Sequence, residues 1–284
     1  MAVNADPPMG GTLPLEQLAM GGYRMATRIF SWYISVWDQL AITGTPFPAV
    51  PPIYLRHRVH GDGSLAGFLQ VGQRSRQDLE AALGRIGRRM SDFTDVMDFG
   101  CGCGRTLLWL SELAGTTRLY GTDTDGEAAE WCRRNLPFAT FTNNRSMPPL
   151  DYPEGSFDLV YAISVLTHLD EEYQCRWLEE LRRVTRPGGV LLLTVHGPDR
   201  VRGDLTPELQ AQVREKGILF VPSLLHRGMF PEWYQLTYHS REYVVKTFAR
   251  YFRVLDYIPL GLNAYQDIVV LERADDHPRP PAPE

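Results

Sequence analysis

The chain has no apolar run approaching the length of a membrane-spanning helix, and its start, MAVNADPP, has neither the basic lead nor the apolar segment of a secretory signal. A soluble, cytoplasmic protein with no membrane partner is expected. Lys and Arg form no concentrated stripe and the formal net charge is -5, so the electrostatic footprint that a phosphate backbone requires is missing. No nucleic-acid partner is expected. Cysteine is scarce as well: four residues cannot staple a chain of 284, and Cys101 and Cys103 stand in a Gly-rich turn without zinc-site spacing. Neither a disulfide framework nor a bound metal is expected, and Cys132 and Cys175 read as small buried apolar side chains on helices. Internal repeats are absent too.

What is present suffices for one substantial core, since 44% of the 284 residues are hydrophobic. One large α/β domain with embellishments is expected. Residues 1–12 and 273–284 are rich in Pro, Gly and charge and should be mobile ends. From Leu15 to Leu40 the apolar residues recur at near-helical spacing, with Gly21 and Gly22 as a break, which predicts one amphipathic helix or two. The connector TPFPAVPP should run extended. A further helix is predicted over Ser75 to Met90, with Leu79, Leu83 and Ile86 on its apolar face. Residues 13–90 thus read as a helical extension and 91–272 as the main domain.

Within that domain the β-type runs VMDF, RLYGTD, ATFTN, FDLVYAI and VLLLTV alternate with helical runs led by Arg105, Glu127 and Glu171. Repeated βαβ units of this kind build a parallel sheet. Tyr251 to Ile258 and Asp267 to Leu271 are strand-like runs joined by a short loop, able to form an antiparallel hairpin at one edge. The fold expected is a Rossmann-like, doubly wound α/β domain with seven mostly parallel strands. Residues 197–239 exceed an ordinary connection and contain Phe220, Phe230, Trp233, Tyr234 and Tyr238, as an acceptor-binding insertion or a local core would.

The segment VMDFGCGCGRT, residues 96–106, carries the chemistry. Alternating glycines after a strand let the backbone turn sharply and let its N–H groups approach a nucleotide-type ligand closely. A dinucleotide fingerprint needs a small residue where Arg105 stands, so NAD is disfavoured. Asp98 would repel a pyrophosphate but can offset an ammonium. Asp123, at the end of the next strand and about 20 residues beyond the glycines, has the offset of a ribose-binding carboxylate. Arg105 reads as a solvated arginine, because the positive end of a helix does not favour a cation.

These residues resemble the first two motifs of the class I S-adenosylmethionine (SAM)-dependent methyltransferases, and the likeness extends over residues 96–196 through SFDLVYAISVLTHL and RVTRPGGVLLLTV. The resemblance implies SAM as cofactor, with S-adenosylhomocysteine as product, held by Asp98, Gly100, Cys101, Gly102 and Asp123. It places Thr124 against the adenosine, Asn144 (or Asn143) against the adenine, and Ser164 facing the methionine part.

Methyl transfer needs alignment above all, and a base only when the acceptor must lose a proton. Histidine suits that role at neutral pH. His168, in the loop after the fourth strand, either serves as that base or only shapes the loop. His239, expected at the start of the helix before the last strands, either serves or caps that junction. Arg56, His57 and Arg58 read as a solvated cluster, or as a partner for the cofactor carboxylate. The N-terminal helices read as a lid, as part of the core or as a dimer contact, so the chain is a monomer or a homodimer. The activity implied is methyl transfer by in-line displacement to a small molecule, a natural product or sugar-like precursor, with oxygen as the first acceptor atom to test; a protein-directed enzyme and a non-catalytic SAM-binding regulator are the alternatives.

Overall fold

The computed structural model describes residues 36–38, 40–43, 47–61, 63–222, 231 and 233–274. The expected mobile ends (apart from Arg273 and Ala274), most of the helical stretch from Leu15, and Phe230 lie outside the described residues. The chain divides into two compact units, up to Leu65 and from Ala66 onward. Helix α2 (Leu65–Arg85), which the expected division after Met90 puts with the helical extension, buries Phe68, Ser75, Leu79 and Leu83 and belongs to the second unit from Ala66. This helix begins ten residues before the predicted one. It ends early as well, where Gly87 takes a left-handed φ of 72° and the Arg88 N–H closes on the Leu83 carbonyl, a Schellman-type stop.

In the first unit, residues 36–38 and 40–41 are helical, 47–52 carry no regular structure, and α1 (Ile53–His60) ends at left-handed Gly61. Arg56 is only 1% exposed, which overturns the solvated reading for that residue, whereas His57 is exposed and Arg58 half-buried. Its guanidinium donates to Asp38 Oδ2 at 2.6 Å and to the carbonyls of Pro51 and Gly63 at 2.8 Å, so it works as an internal brace.

The second unit is built on β1 (Asp95–Phe99), β2 (Arg118–Asp123), β3 (Ala139–Asn143), β4 (Phe157–Ala162), β5 (Thr185–Val195), β8 (Arg253–Leu262) and β9 (Gln266–Glu272). Their order is β3-β2-β1-β4-β5-β9-β8, with β1 to β5 parallel and β9 antiparallel to both its neighbours. The strand order reverses between β1 and β4, the place where open α/β sheets bind ligands. Apolar runs without alternation explain the burial: β1 is covered throughout and β4 nearly so, as expected of parallel strands packed on both faces. The β8–β9 hairpin turns through Asn263 and Ala264, both left-handed, with φ of 53° and 52°.

Helices α3 (Gly126–Asn135) and α4 (Glu171–Val184) start where the carboxylates of Asp125 and Asp170 accept first-turn N–H groups. The helix expected from Arg105 is instead a run of turns followed by a 3₁₀ stretch, Leu107–Leu113, whose Trp109 and Ala114 N–H groups bond three residues back. The Pro-Gly-Gly segment is absorbed into the start of β5, with Gly188 left-handed.

Between β5 and α7 (Arg241–Phe248) lie α5 (Pro198–Asp204), α6 (Pro207–Lys216) and a separate two-stranded sheet of β6 (Ile218–Val221) and β7 (Leu236–His239). Val201, Val213 and Tyr238 form its small core. Among the described residues, no helix is long and apolar enough to cross a membrane.

Candidate functional site

The glycine turn after β1 is a cradle that only glycine can form. Gly100, Gly102 and Gly104 all have positive φ (80°, 53° and 80°), and a Cβ on Gly100 would stand 2.3 Å from Val165 Cγ2. The turn is anchored to the end of β2, where the Gly100 and Cys101 N–H groups donate to the Thr122 carbonyl. Asp123 completes the anchor: its Oδ2 accepts from the Gly102 N–H and its Oδ1 from the Asp125 N–H, each at 2.7 Å. Burial pushes the Asp123 carboxyl up and these N–H groups pull it back. A carboxylate oxygen accepts more than one hydrogen bond, so capacity for a ligand hydroxyl remains.

Asp98 is 3% exposed, and burial raises its pKa to about 8, with the nearby charge of Asp123 adding to the rise. Tyr161, whose hydroxyl lies beside it without closing a well-formed hydrogen bond, and Arg105 act in the opposite direction. Arg105 is half-buried, and burial lowers its pKa while Cys103 and Asp98 hold it up, so the expected solvated arginine is not found. Cys101, Cys103 and Cys132 are buried around the same turn, and the Cys101 and Cys132 thiols donate to the Gly102 carbonyl at 3.6 and 3.7 Å. Burial pushes the Cys103 thiol up to about 12 and the other two upward as well, which keeps all three as inert thiols. Cys175 is half-buried.

Thr124 is exposed beyond Asp123. Asn144 accepts from the Thr122 hydroxyl through Oδ1 at 2.8 Å, whereas the exposed Asn143 donates to the Asp123 carbonyl. Both line a cavity of about 160 Å³ with Thr122, Thr142, Pro149 and Leu150, so the geometry leaves either able to meet an adenine. Ser164 has a left-handed φ of 59°; its N–H donates to Thr194 Oγ1 and its hydroxyl accepts from Gln266 Nε2, each at 2.8 Å. Its side chain is therefore turned toward β9.

Two histidines stand at the carboxyl ends of β4 and β5. His168 closes the 3₁₀ turn Leu166–His168, donates from Nδ1 to the Gln235 carbonyl at 2.6 Å and stacks on Tyr234 at 4.1 Å. The donor role at Nδ1 makes Nε2 the lone-pair nitrogen of the neutral ring. The Tyr234 phenol is pushed up by burial and by the charge of Asp123, which places this stack within electrostatic reach of the glycine turn. His196, just after β5, lies 6.5 Å from His168 between ring centres and donates from Nδ1 to the Thr237 carbonyl at 3.2 Å. Burial, then the Arg200 charge, lowers its pKa to about 4. His196 stands in no motif of the sequence, although the rule that ligands gather beyond strand carboxyl ends applies to it as it does to His168.

His239 occupies a different environment. It is the last residue of β7, not the first of a helix, and Ser240 is the N-cap of α7. The ring is fully buried, Nε2 donates to Gln174 Oε1 at 3.1 Å, and Nδ1 has no partner. Gln174 is itself fixed by donating to the carbonyls of Leu166 and Leu169. Burial, then His196, lowers the His239 pKa to about 3. Of the insertion aromatics, Trp233 stacks on Tyr173 at 5.8 Å and Tyr238 joins the small core, while Tyr234 stacks on His168.

Residues 96–189 match the family described as "Methyltransferase domain". The chain is similar to a probable S-adenosylmethionine-dependent methyltransferase of Mycolicibacterium smegmatis (30% identity over 139 residues, 48% of this chain and 51% of that protein). It is also similar to the O-methyltransferase resE of Aspergillus sclerotiorum (28% over 143 residues, 45% and 53%). The chain thus spans about half the length of these curated relatives. Among solved structures, the 1,6-didemethyltoxoflavin-N1-methyltransferase of Burkholderia thailandensis, with bound 1,6-didemethyltoxoflavin and S-adenosylhomocysteine, aligns with a TM-score of 0.51 at 16% identity, over 71% of this chain and 79% of that one. At that identity the shared property is the fold.

Proposed function

We propose, from a chain whose residues 96–189 match the methyltransferase-domain family, that it moves the methyl group of SAM to an oxygen of a small-molecule acceptor. The observation that carries the reading is the buried Asp98 beside a turn of three left-handed glycines that is tied to Asp123. A buried carboxyl whose ionised form needs a nearby cation suits a ligand bringing an ammonium, and a 3₁₀ stretch, not an α-helix N-terminus, follows the turn. Asp98 would face the ammonium, Gly100, Cys101 and Gly102 would line the backbone approach, and Asp123 would accept from the ribose hydroxyls. Thr124 would cover the adenosine, Asn144 or Asn143 would meet the adenine, and Ser164 would border the methionine part. The cofactor supplies a methyl carbon already activated by its sulfonium.

His168 is the group we assign to the proton. Its Nε2 lone pair takes the acceptor's hydroxyl proton as the new oxygen–carbon bond forms and the carbon–sulfur bond breaks. His239 is assigned a structural role instead, since its ring offers no surface to a substrate. The absence of a basic stripe and the O-methyltransferase among the relatives favour a small molecule and an oxygen. The test is calorimetric titration of the purified chain with SAM and S-adenosylhomocysteine, with NAD as control. Micromolar binding of the first two is expected; binding of NAD alone refutes the reading.

A further inference from the structure

Asp98 and Tyr161 stand side by side on one face of the sheet. They are register partners on the parallel strands β1 and β4, and their neighbours Met97, Phe99, Val160 and Ala162 point the other way, into the main apolar cluster. Asp98 is 3% exposed and Tyr161 is fully buried. The carboxyl senses the tyrosine as a donor, yet among the described residues the phenolic hydroxyl closes no well-formed hydrogen bond. An O–H left unpaired in a core is destabilising, whereas phenylalanine in the same place would leave nothing unpaired. The hydroxyl is of most use to another state of its neighbour, the ionised carboxylate, because a hydrogen bond to a charged group is roughly twice as strong as a neutral one.

From this pair we propose that Tyr161 is a positioning residue for the cofactor's ammonium: its hydroxyl closes on Asp98 when the ammonium is bound, and capture of the cofactor releases one proton to solvent. This deepens the SAM reading and rests on it. In the ligand-free protein burial raises the Asp98 pKa to about 8, and the charge of Asp123 at the end of β2 pushes the same way. Arg105 in the glycine turn pulls the other way, but burial disfavours its own charged form. The thiols that feel this carboxyl, Cys101 from the turn and Cys132 from α3, are kept neutral by burial. Beside an ammonium the carboxylate becomes the favoured form. The O–H bond of Asp98 then breaks, its proton passes to the buffer, and the carboxylate keeps the electron pair and accepts from both the ammonium and the Tyr161 hydroxyl. The phenol holds its own proton throughout, since burial and then the Asp98 charge push it upward.

The experiment is calorimetric titration of the full chain with S-adenosylhomocysteine in two buffers of different ionisation enthalpy, with 5′-methylthioadenosine, which lacks the ammonium, as the control ligand. Between pH 6 and 7 S-adenosylhomocysteine should release about one proton and its affinity should rise about tenfold per pH unit, while the control should release none. Asp98→Asn should abolish the release. In Tyr161→Phe, affinity for S-adenosylhomocysteine should fall roughly ten- to a hundredfold, the effect of one lost hydrogen bond to a charged group, with that for the control unchanged and the ligand-free melting temperature equal or higher. If S-adenosylhomocysteine binds without releasing a proton, or the release persists in Asp98→Asn, the inference is refuted. It is refuted as well if Tyr161→Phe fails to fold, weakens both ligands alike or leaves both affinities unchanged. Failure of S-adenosylhomocysteine to bind the wild type at all refutes the cofactor reading instead.

Discussion

Raising the pH from 6 to 8 should destabilise the ligand-free protein through Asp98, and Asp98→Asn should remove that effect. The folded-state pKa of about 8 lies above the ordinary value of 3.8, so between those values the folded chain holds a proton that the unfolded chain has released. Stability contributed by such a group is present at low pH and is lost as pH rises toward the folded value. For a single site the loss between pH 6 and 8 is about 2 kcal/mol, at 1.36 kcal/mol per unit of pKa. On a domain of this size that corresponds to roughly 4–8 °C in melting temperature. His196 and His239 have lowered pKa values and act with the opposite sign, gaining stability as pH rises toward 6.5. Their contribution is common to both proteins, so the difference between wild type and Asp98→Asn isolates the carboxyl. The assay is calorimetric melting of both at several pH values, with and without saturating SAM. The two ligand-free curves should converge toward low pH and separate toward pH 8, and the cofactor's ammonium should restore the wild type more than the variant. Curves that run parallel from pH 6 to 8 refute the assignment of a protonated, buried Asp98.

Three further outcomes are expected. Asp123→Ala should weaken S-adenosylhomocysteine binding by about 1–3 kcal/mol in a calorimetric titration, because it removes a charged acceptor and releases the Gly102 and Asp125 N–H groups; unchanged affinity counts against the ribose role. Gly100→Ala should lower both melting temperature and cofactor affinity, and Val165→Ala in the same chain should recover part of the loss, since Val165 is the atom group in the way. His168→Ala should reduce turnover with little change in cofactor affinity, whereas His239→Ala should lower stability by about 1–3 kcal/mol, leaving Gln174 Oε1 unsatisfied; denaturant melts beside single-turnover kinetics separate the two.

Strands and glycine turn were legible because their signals are local. Apolar runs such as VLLLTV need no partner to declare themselves, and Asp170 marks the start of α4 by chemistry acting within one turn of chain. Other features depend on what meets what. Arg56 looked like part of a solvated cluster, and only the carbonyls of Pro51 and Gly63 with Asp38 make its burial possible. The β6–β7 sheet pairs segments that the long insertion keeps apart in sequence, so neither strand advertises the other. His196 and His239 carry the same side chain, and what distinguishes them is a backbone carbonyl in one case and Gln174 in the other. Such partners belong to tertiary structure, and residue spacing does not encode them.

Because Gln235 and Thr237 present their carbonyls on one side, the stretch before and through β7 sets a parity rule for change in the insertion. Removing the single residue between them turns one of the two carbonyls to the opposite side, so that one ring tether is lost while the other can stay. Removing two keeps the direction and merely reassigns partners. Length variation between Gln235 and Thr237 should therefore come in even steps wherever both imidazoles persist, and an odd step should coincide with loss of one of them.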